Sequence, residues 1–132
     1  MADVERDIAL SELQIAVMRV LWRQGEASVA DIATILGAER GLKYTTVATL
    51  LTRLERRGVV AQRRDGRVLI YHAVASEPQV RRSMVADLIG SLFGGDPRAL
   101  VAHLVDESEI APGDLERVRK RLAKAGARRS KP

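Results

Sequence analysis

The sequence predicts a mainly α-helical protein with one small β-hairpin and a helical arm in its C-terminal part. Apolar residues recur at helical spacing in several segments, which is typical of amphipathic helices packed on a core. Aromatic residues make up only 3% of the chain, so a core of Leu, Val, Ile and Ala is expected, and such a core favours helices over a β-sandwich. The pair Asp65-Gly66 separates two β-prone runs, which is a strong short-range signal for a hairpin.

The first predicted helix begins at Ser11 and ends at Gly25. Ser11 and Gln14 have the spacing of a capping box, and a glycine commonly ends a helix. Trp22 is the only tryptophan, and no neighbouring aromatic residue suggests a stacking platform. We therefore interpret Trp22 as a core residue of this helix.

A second predicted helix begins at Ser28 and stops at Gly37, and a loop leads from there to a third helix that Gly58 closes. Ser28 is a small hydroxyl residue directly before a periodic run, as expected of a helix cap. The apolar residues of the third helix fall on one face. They are Val47, Leu50, Leu51 and Leu54.

The opposite face of the third helix is hydroxylic and cationic and contains no acid. Threonine loses rotamer freedom in a helix, so several threonines on one face indicate a surface selected for something other than helix propensity. Small hydroxyls and methyls with nearby arginines suit the floor and walls of a DNA major groove. The alternative is an ordinary amphipathic helix with an unusual surface. The residues of this face are Thr45, Thr46, Thr49, Thr52, Arg53 and Arg56.

A basic hairpin is predicted directly after the third helix. Its strands are residues 59–64 and 67–73, and three arginines crowd its tip: Arg63, Arg64 and Arg67. Three helices followed by such a hairpin are the plan of a winged helix-turn-helix domain, here residues 1–75. The wing would lie along the phosphate backbone or enter the minor groove. The alternative is an edge ribbon that its charge keeps soluble.

The positive charge of the chain is concentrated on this part. The whole chain has a net charge of +5, yet residues 1–39 contain three basic against seven acidic residues, and residues 40–67 contain eight against two. Such clustering indicates phosphate binding more sharply than total charge does. We expect the threonines to face bases, Arg53 to reach a guanine or a phosphate, and the other side chains to hold the backbone. The predicted DNA-binding residues are Lys43, Tyr44, Thr45, Thr46, Thr49, Arg53, Arg63, Arg64 and Arg67.

Residues 76–127 are predicted to form a helical dimerisation domain. Its three helices begin near Ser76, Asp96-Pro97 and Ile110–Pro112, and Gly94-Gly95 breaks the first of them. Three short helices enclose little core alone, so pairing with a second copy is expected to bury their apolar stripes. The alternative is an arm that folds back on its own first domain. Residues 128–132 are predicted to be a disordered basic tail. The predicted dimerisation residues are Leu88, Leu92, Leu100, Leu104, Leu115, Val118 and Leu122.

Several kinds of site are not expected from this sequence. There is no cysteine, and His72 and His103 fall in different regions, so no metal site or cofactor is predicted. No nucleophile–base pair is found, so an enzyme is not expected. Charges at Asp3 to Asp7 argue against a signal peptide, and no run is long enough for a membrane span. The expected location is the cytoplasm.

Taken together, these segments resemble the penicillinase-repressor family, which comprises the β-lactamase and methicillin-resistance repressors with copper-responsive relatives. The resemblance implies a winged-helix homodimer that binds a palindromic DNA operator and blocks transcription. It rests on residues 10–22, on residues 44–54 with Gly58, on residues 65–71, and on residues 92–95 and 100–101 of the arm.

The resemblance also implies how such a repressor is released. In antibiotic-sensing members a membrane sensor-protease signals, and the repressor is cut in the arm between an Asn and a Phe that follow a Leu-Val pair. The matching positions here are His103 and Leu104, so the residues at this bond differ. Copper-responsive members carry a cysteine pair, and the lack of cysteine excludes that route.

The leading hypothesis is a dimeric DNA-binding transcriptional repressor. Its expected partners are an operator duplex, a second copy of the chain and a sensor-linked protease. The alternative is a winged-helix protein-interaction module whose basic face binds an acidic protein. Binding to random duplex DNA at several salt concentrations separates the two, because phosphate contacts weaken steeply as salt rises.

Overall fold

A computed structural model describes residues 8–107, 110–111 and 113–130, with side chains described as far as Ala125. It confirms a mainly helical chain with a small antiparallel sheet. The elements in order are α1 (Glu12–Gln24), β1 (Glu26–Ser28), α2 (Val29–Arg40), α3 (Tyr44–Arg56), β2 (Val60–Asp65), β3 (Val68–Ala73), α4 (Glu77–Leu92), α5 (Pro97–Asp106) and α6 (Asp114–Ser130).

Three predicted caps, Ser11, Ser28 and Ser76, begin their helices as expected, and Ser28 forms a reciprocal pair with Asp31 at the start of α2. The Ser11 hydroxyl accepts a hydrogen bond from the Gln14 backbone N–H at 3.1 Å, and the Ser11 N–H donates to the Gln14 side chain at 2.9 Å. Ser76 forms the same reciprocal pair with Gln79 at the start of α4. Each pair satisfies N–H groups that have no partner inside a helix.

Helix α2 extends beyond the predicted end at Gly37. It continues to Arg40, and Gly41 ends it with a left-handed φ of 71°. The Gly41 N–H donates to the Gly37 carbonyl at 3.0 Å, which closes the last turn. A glycine inside a helix costs only about 1 kcal/mol relative to alanine, so Gly37 does not stop the helix. A Cβ at Gly37 would lie 3.4 Å from the Leu42 carbonyl oxygen, which is about the shortest ordinary contact distance.

The core lies between α1, α2, α3 and the sheet. The four predicted apolar residues of α3 are all buried: Val47, Leu50, Leu51 and Leu54. Trp22 is half-buried against this core, and its indole N–H donates to the Ala75 carbonyl at 2.9 Å. Because the apolar residues of α3 face the core, the opposite face of this helix points away from the protein.

The sheet has three strands in the order β1-β3-β2, all antiparallel. The β2–β3 hairpin was predicted, whereas β1 was not. Strand β1 follows Gly25, and Glu26 lies opposite His72 of β3. Three residues are too few to show strand periodicity, and β1 exists because β3 offers it a partner edge. Gly66 turns the hairpin with a φ of 64°.

The chain divides into two compact units, residues 1–88 and 89–132. The boundary therefore differs from the predicted division between residues 75 and 76. The first turns of α4 belong to the first unit, because Val80 and Ser83 are buried there. The Ser83 hydroxyl accepts a hydrogen bond from the Ile8 N–H at 2.9 Å.

The second unit contains the end of α4, then α5 and α6. None of its described residues is buried. Helix α6 begins at Asp114, after the predicted start at Ile110–Pro112, and Pro112 lies outside the described residues. It extends through Ser130, so the helix includes the first residues of the predicted basic tail. Lys131 and Pro132 lie outside the described residues.

Candidate nucleic-acid interface

The outer face of α3 carries the three threonines and Arg53 of the predicted contact set. Thr45, Thr49 and Arg53 are exposed, and Thr46 is half-buried. Among the described residues, the three threonines make no side-chain hydrogen bond and Arg53 makes no ion pair. The face therefore presents free hydroxyls, methyls and a guanidinium group to an outside ligand.

A shallow depression of about 260 Å³ lies on this face. Arg53 and Arg56 both line it. The Thr52 hydroxyl, which also lines it, donates to the Ala48 carbonyl at 3.0 Å. Arg56 is also exposed and has no ion pair within the described residues. The depression thus combines small side chains with two unneutralised cations. Its lining residues are Ala48, Thr49, Thr52, Arg53 and Arg56.

The N-terminal end of α3 is open to solvent. Lys43 is the N-cap residue and gives no side-chain cap to the helix, and the Tyr44 side chain is 56% exposed. The first N–H groups of a helix carry partial positive charge and attract anions. Lys43 and Tyr44 are thus positioned to contact a phosphate at this end.

Two of the three predicted wing arginines lie at the hairpin tip without an ion pair among the described residues. Arg64 lies on β2 opposite Leu69, and Arg67 lies in the turn between Asp65 and Val68. Both are exposed, and neither makes an ion pair in the described part of the chain. The tip therefore presents two free cations.

Arg63 lies in a different environment, because it is paired with an acid. Its Nε donates to Glu26 Oε2 at 3.0 Å, and its Nη2 donates to Glu26 Oε1 at 2.8 Å. The hydrogen bond from Arg63 holds the pKa of the Glu26 carboxyl below its ordinary value of 4.5. The same bond raises the pKa of Arg63. Arg63 is thus the one predicted wing residue whose charge is balanced within the described protein.

Two further contacts fix the surroundings of α3. The Gln62 amide donates to both carboxylate oxygens of Glu55, at 2.8 and 2.9 Å, and so joins β2 to α3. Arg57 donates to the Ala9 carbonyl at 2.6 Å. Tyr71 packs beneath the sheet, where burial, followed by the nearby Glu55 carboxylate, raises the pKa of its hydroxyl. These contacts make the wing and α3 parts of one packed unit.

The predicted dimerisation residues are mostly at the surface. In α4, Leu92 is 69% exposed, and in α6 Leu122 is 61% exposed. Leu100 and Leu104 of α5 are half-buried, whereas Val101 and Val105 of the same helix are exposed. The exposed members of the predicted set are Leu88, Leu92, Leu115, Val118 and Leu122.

The bond between His103 and Leu104 lies inside α5 rather than in a loop. The His103 ring lies against the Phe93 ring, with the centroids 5.9 Å apart. His103 is exposed and Leu104 is half-buried.

Neither a metal site nor a membrane-spanning helix is found in the part of the chain that the structure describes. No group of three or more His, Asp or Glu side chains there is arranged to hold a metal ion. No helix there has both the length and the apolar composition that crossing a membrane requires.

Two features near the interface were not predicted from the sequence. Arg56 was assigned to the outer face of α3 but not to the contact set, although it lines the depression beside Arg53. Glu26 was not singled out, because its pairing with Arg63 depends on a strand that the sequence pattern does not reveal. In the sequence, the basic run Arg56-Arg57 could have indicated a contact role for Arg56. No sequence pattern indicated a role for Glu26.

Sequence comparisons were made against known families and proteins. The profile of the family described as penicillinase repressor matches residues 10–124. The transcriptional regulator BlaI of Mycobacterium tuberculosis (strain CDC 1551 / Oshkosh) is 31% identical, over 89% of this chain and 86% of that protein. The methicillin resistance regulatory protein MecI of Mammaliicoccus sciuri is 24% identical, over 87% of this chain and 94% of that protein.

Solved structures resemble the first unit. The solution structure of the DNA-binding domain of the repressor BlaI aligns with a TM-score of 0.51 at 24% identity, covering 56% of this chain and 92% of that chain. The monomeric form of Bacillus licheniformis BlaI in complex with the blaP half-operator aligns with a TM-score of 0.50 at 24% identity and the same coverage. At this level of identity the likeness shows a shared winged-helix fold.

Proposed function

The chain belongs to the penicillinase repressor family and is a DNA-binding transcriptional repressor, and from this premise we propose that two copies of it bind a palindromic operator. The observation that carries the proposal is the outer face of α3, where hydroxyls and free guanidinium groups stand together. That combination suits the edges of bases in a major groove and the phosphates beside them.

In this proposal α3 enters the major groove. Thr45, Thr46 and Thr49 face base edges and thymine methyls, and Arg53 reaches a guanine or a phosphate. Lys43 and Tyr44 hold the backbone at the N-terminal end of the helix. The exposure of Lys43, Tyr44 and Arg53 supports these roles.

The wing supplies phosphate contacts next to the groove. Arg64 and Arg67 are the two cations for this role, because both are exposed and neither is paired among the described residues. Arg63 was predicted for the same role, but its guanidinium group is held by Glu26. The wing in this proposal therefore acts through its tip.

The arm is proposed to hold two copies together. None of its described residues from Ile89 onward is buried in one copy, and large apolar side chains such as Leu92 and Leu122 are exposed. A symmetric pair would bury these side chains and present two α3 helices to two half-sites. Half-sites one helical turn of DNA apart, about 34–36 Å, or a multiple of that spacing, are then expected. The B. licheniformis BlaI monomer in complex with a half-operator is consistent with one copy reading one half-site. The place of action is the compartment that holds the DNA, the cytoplasm.

Selection of bound duplexes from a random pool tests the whole proposal. We expect an inverted repeat whose half-sites have one fixed spacing. An asymmetric motif, or no enrichment at low salt, would contradict it. The selected operator is then the probe for the variants described below.

The change Arg64→Ala tests the wing. Loss of a phosphate contact is expected to weaken binding to operator and random duplex alike, and to reduce the slope of log affinity against log salt by about 0.9 for each wing in contact. Gel shifts at four or more salt concentrations measure the slope. The matched control is Arg82→Ala, which removes an exposed arginine from α4 and is expected to leave the slope as it is. Equal slopes for Arg64→Ala and the wild type would show that Arg64 makes no phosphate contact and would contradict the wing role.

For release from the operator we propose cleavage in the arm by a sensor-linked protease, near the bond between His103 and Leu104. The support is the family relationship and the lack of buried residues in α5, since a helix with little burial opens locally at low cost. Mass spectrometry of the repressor after derepression would identify the cut. Intact repressor at that point would contradict proteolytic release.

A further inference from the structure

Glu26 and Arg63 are joined across the central strand of the sheet. Glu26 lies on β1 opposite His72, and Arg63 lies on β2 opposite Ile70, with β3 between them. Two parallel hydrogen bonds of 2.8 and 3.0 Å join the guanidinium fork to the carboxylate. This bidentate geometry fixes the direction of the arginine as well as its distance from the acid.

The pair stands at the surface, where DNA could compete for the arginine. The side chain of Arg63 is 51% exposed and that of Glu26 is 49% exposed. A backbone phosphate also offers two oxygens that a guanidinium fork can bind in a bidentate way. The guanidinium group of Arg63 is therefore able to bind a phosphate, but its hydrogen bonds to Glu26 already occupy it.

The next residues along the hairpin have no such acid. Arg64 and Arg67 are exposed and make no ion pair in the described ranges. The hairpin thus carries three arginines, of which two are free and one is neutralised. A strand that no local pattern predicts supplies the neutralising acid.

We propose that Glu26 limits the phosphate contacts of the wing, because it holds Arg63 away from the DNA backbone. Phosphate contacts strengthen binding to every duplex, whereas base contacts strengthen binding to the operator alone. Keeping one arginine out of the first class lowers affinity for operator and random duplex alike and makes binding less sensitive to salt. The inference rests on the proposed role of the wing.

The test is Glu26→Gln, measured on random duplex at salt concentrations from 50 to 200 mM. Glutamine keeps the size of the side chain and removes the charge, so Arg63 becomes available for a phosphate. The slope of log affinity against log salt is expected to steepen by about 0.9 for each wing in contact, so that affinity falls about 3.5-fold further between 50 and 200 mM salt. At 50 mM, affinity for random duplex and affinity for the operator are expected to rise by a similar factor.

Two variants separate this effect from a general change of charge. Glu39→Gln removes an acid of similar exposure that pairs with Arg23 at 3.9 Å, away from the hairpin, and should leave the slope as in the wild type. The double change Glu26→Gln with Arg63→Gln should lose the added slope, because the freed cation is gone. Circular dichroism melts of each variant establish that the fold is retained at the assay temperature.

An unchanged or shallower slope for Glu26→Gln would overturn the inference, and so would a steeper slope that persists in the double variant. Arg64→Ala distinguishes this failure from failure of the wing itself. If Arg64→Ala lowers the slope while Glu26→Gln leaves it alone, the wing binds DNA and Glu26 has no part in it. If neither change has an effect, the wing role is wrong and the inference falls with it.

Discussion

Thr46 and Thr49 are separated by one turn of α3, yet their surroundings differ. Thr49 is exposed and lines the depression with Arg53, whereas Thr46 is half-buried. Both hydroxyls lack a partner among the described side-chain hydrogen bonds, unlike the Thr52 hydroxyl, which donates to the Ala48 carbonyl. The two residues are therefore the best placed to test base recognition.

We expect Thr46→Ala and Thr49→Ala each to reduce the preference for operator over random duplex, and to leave affinity for random duplex close to that of the wild type. Losing a hydroxyl or methyl contact to a base costs discrimination of about 1 kcal/mol, or roughly fivefold. Competition binding with both duplexes measures the ratio. Thr34→Ala is the matched control, because Thr34 lies on α2 and its hydroxyl donates to the Ala30 carbonyl. A variant that keeps the wild-type ratio would refute a base contact at that position.

Residue identity alone could predict some of these roles and not others. The Thr and Arg residues at helical spacing along α3 indicated an outer face without any knowledge of the fold, because helical spacing decides which residues share a face. The three wing arginines looked equivalent by the same reasoning. Arg63 differs from Arg64 only through Glu26, which lies 37 residues away in sequence, and no local pattern reports a contact at that distance.

At the scale of elements, helical periodicity predicted α1 and α3 well, and the Asp-Gly signal predicted the hairpin. Strand β1 was missed because it has three residues and takes its conformation from pairing with β3. The end of α2 was placed too early because Gly37 looked like a helix end. Neither feature can be read from local pattern: β1 needs its partner strand, and Gly41 rather than Gly37 closes α2.

Trp22 connects two elements, and its contact leads to a stability prediction. Its indole N–H donates to the carbonyl of Ala75, which is fully buried between β3 and α4. Trp22→Phe keeps much of the ring but leaves that carbonyl without its donor, which is expected to lower the free energy of unfolding by about 1–3 kcal/mol. Urea unfolding followed by circular dichroism measures the change. An unchanged midpoint would mean that another group, such as water, satisfies the carbonyl.

At the scale of the whole molecule, the two units differ in how they are stabilised. The first has a continuous core that extends from Ile8 to Val80. In the second, none of the described residues is buried. The predicted boundary after residue 75 missed this difference, because Val80 and Ser83 belong to the first unit although they lie on α4.

We expect Leu122→Asp to convert the proposed dimer to a monomer, because a charge at its interface must be desolvated without a partner. Size-exclusion chromatography with light scattering measures the mass. Val74→Asp is the control, since Val74 is 51% exposed and lies in the first unit, and this variant should keep the mass of a dimer. A Leu122→Asp protein that still has the mass of two chains would remove this part of α6 from the interface.

Because the arm is proposed to gain its core only by pairing, occupancy of the operator depends on the number of paired chains and not simply on the number of chains. When two chains must meet before their apolar stripes leave water, the free energy of assembly depends on concentration by mass action. Halving the amount of protein then reduces the amount of assembled pair by more than half wherever single chains predominate. A modest loss of repressor, by whatever route, would therefore lift transcription over a narrow range of protein concentration.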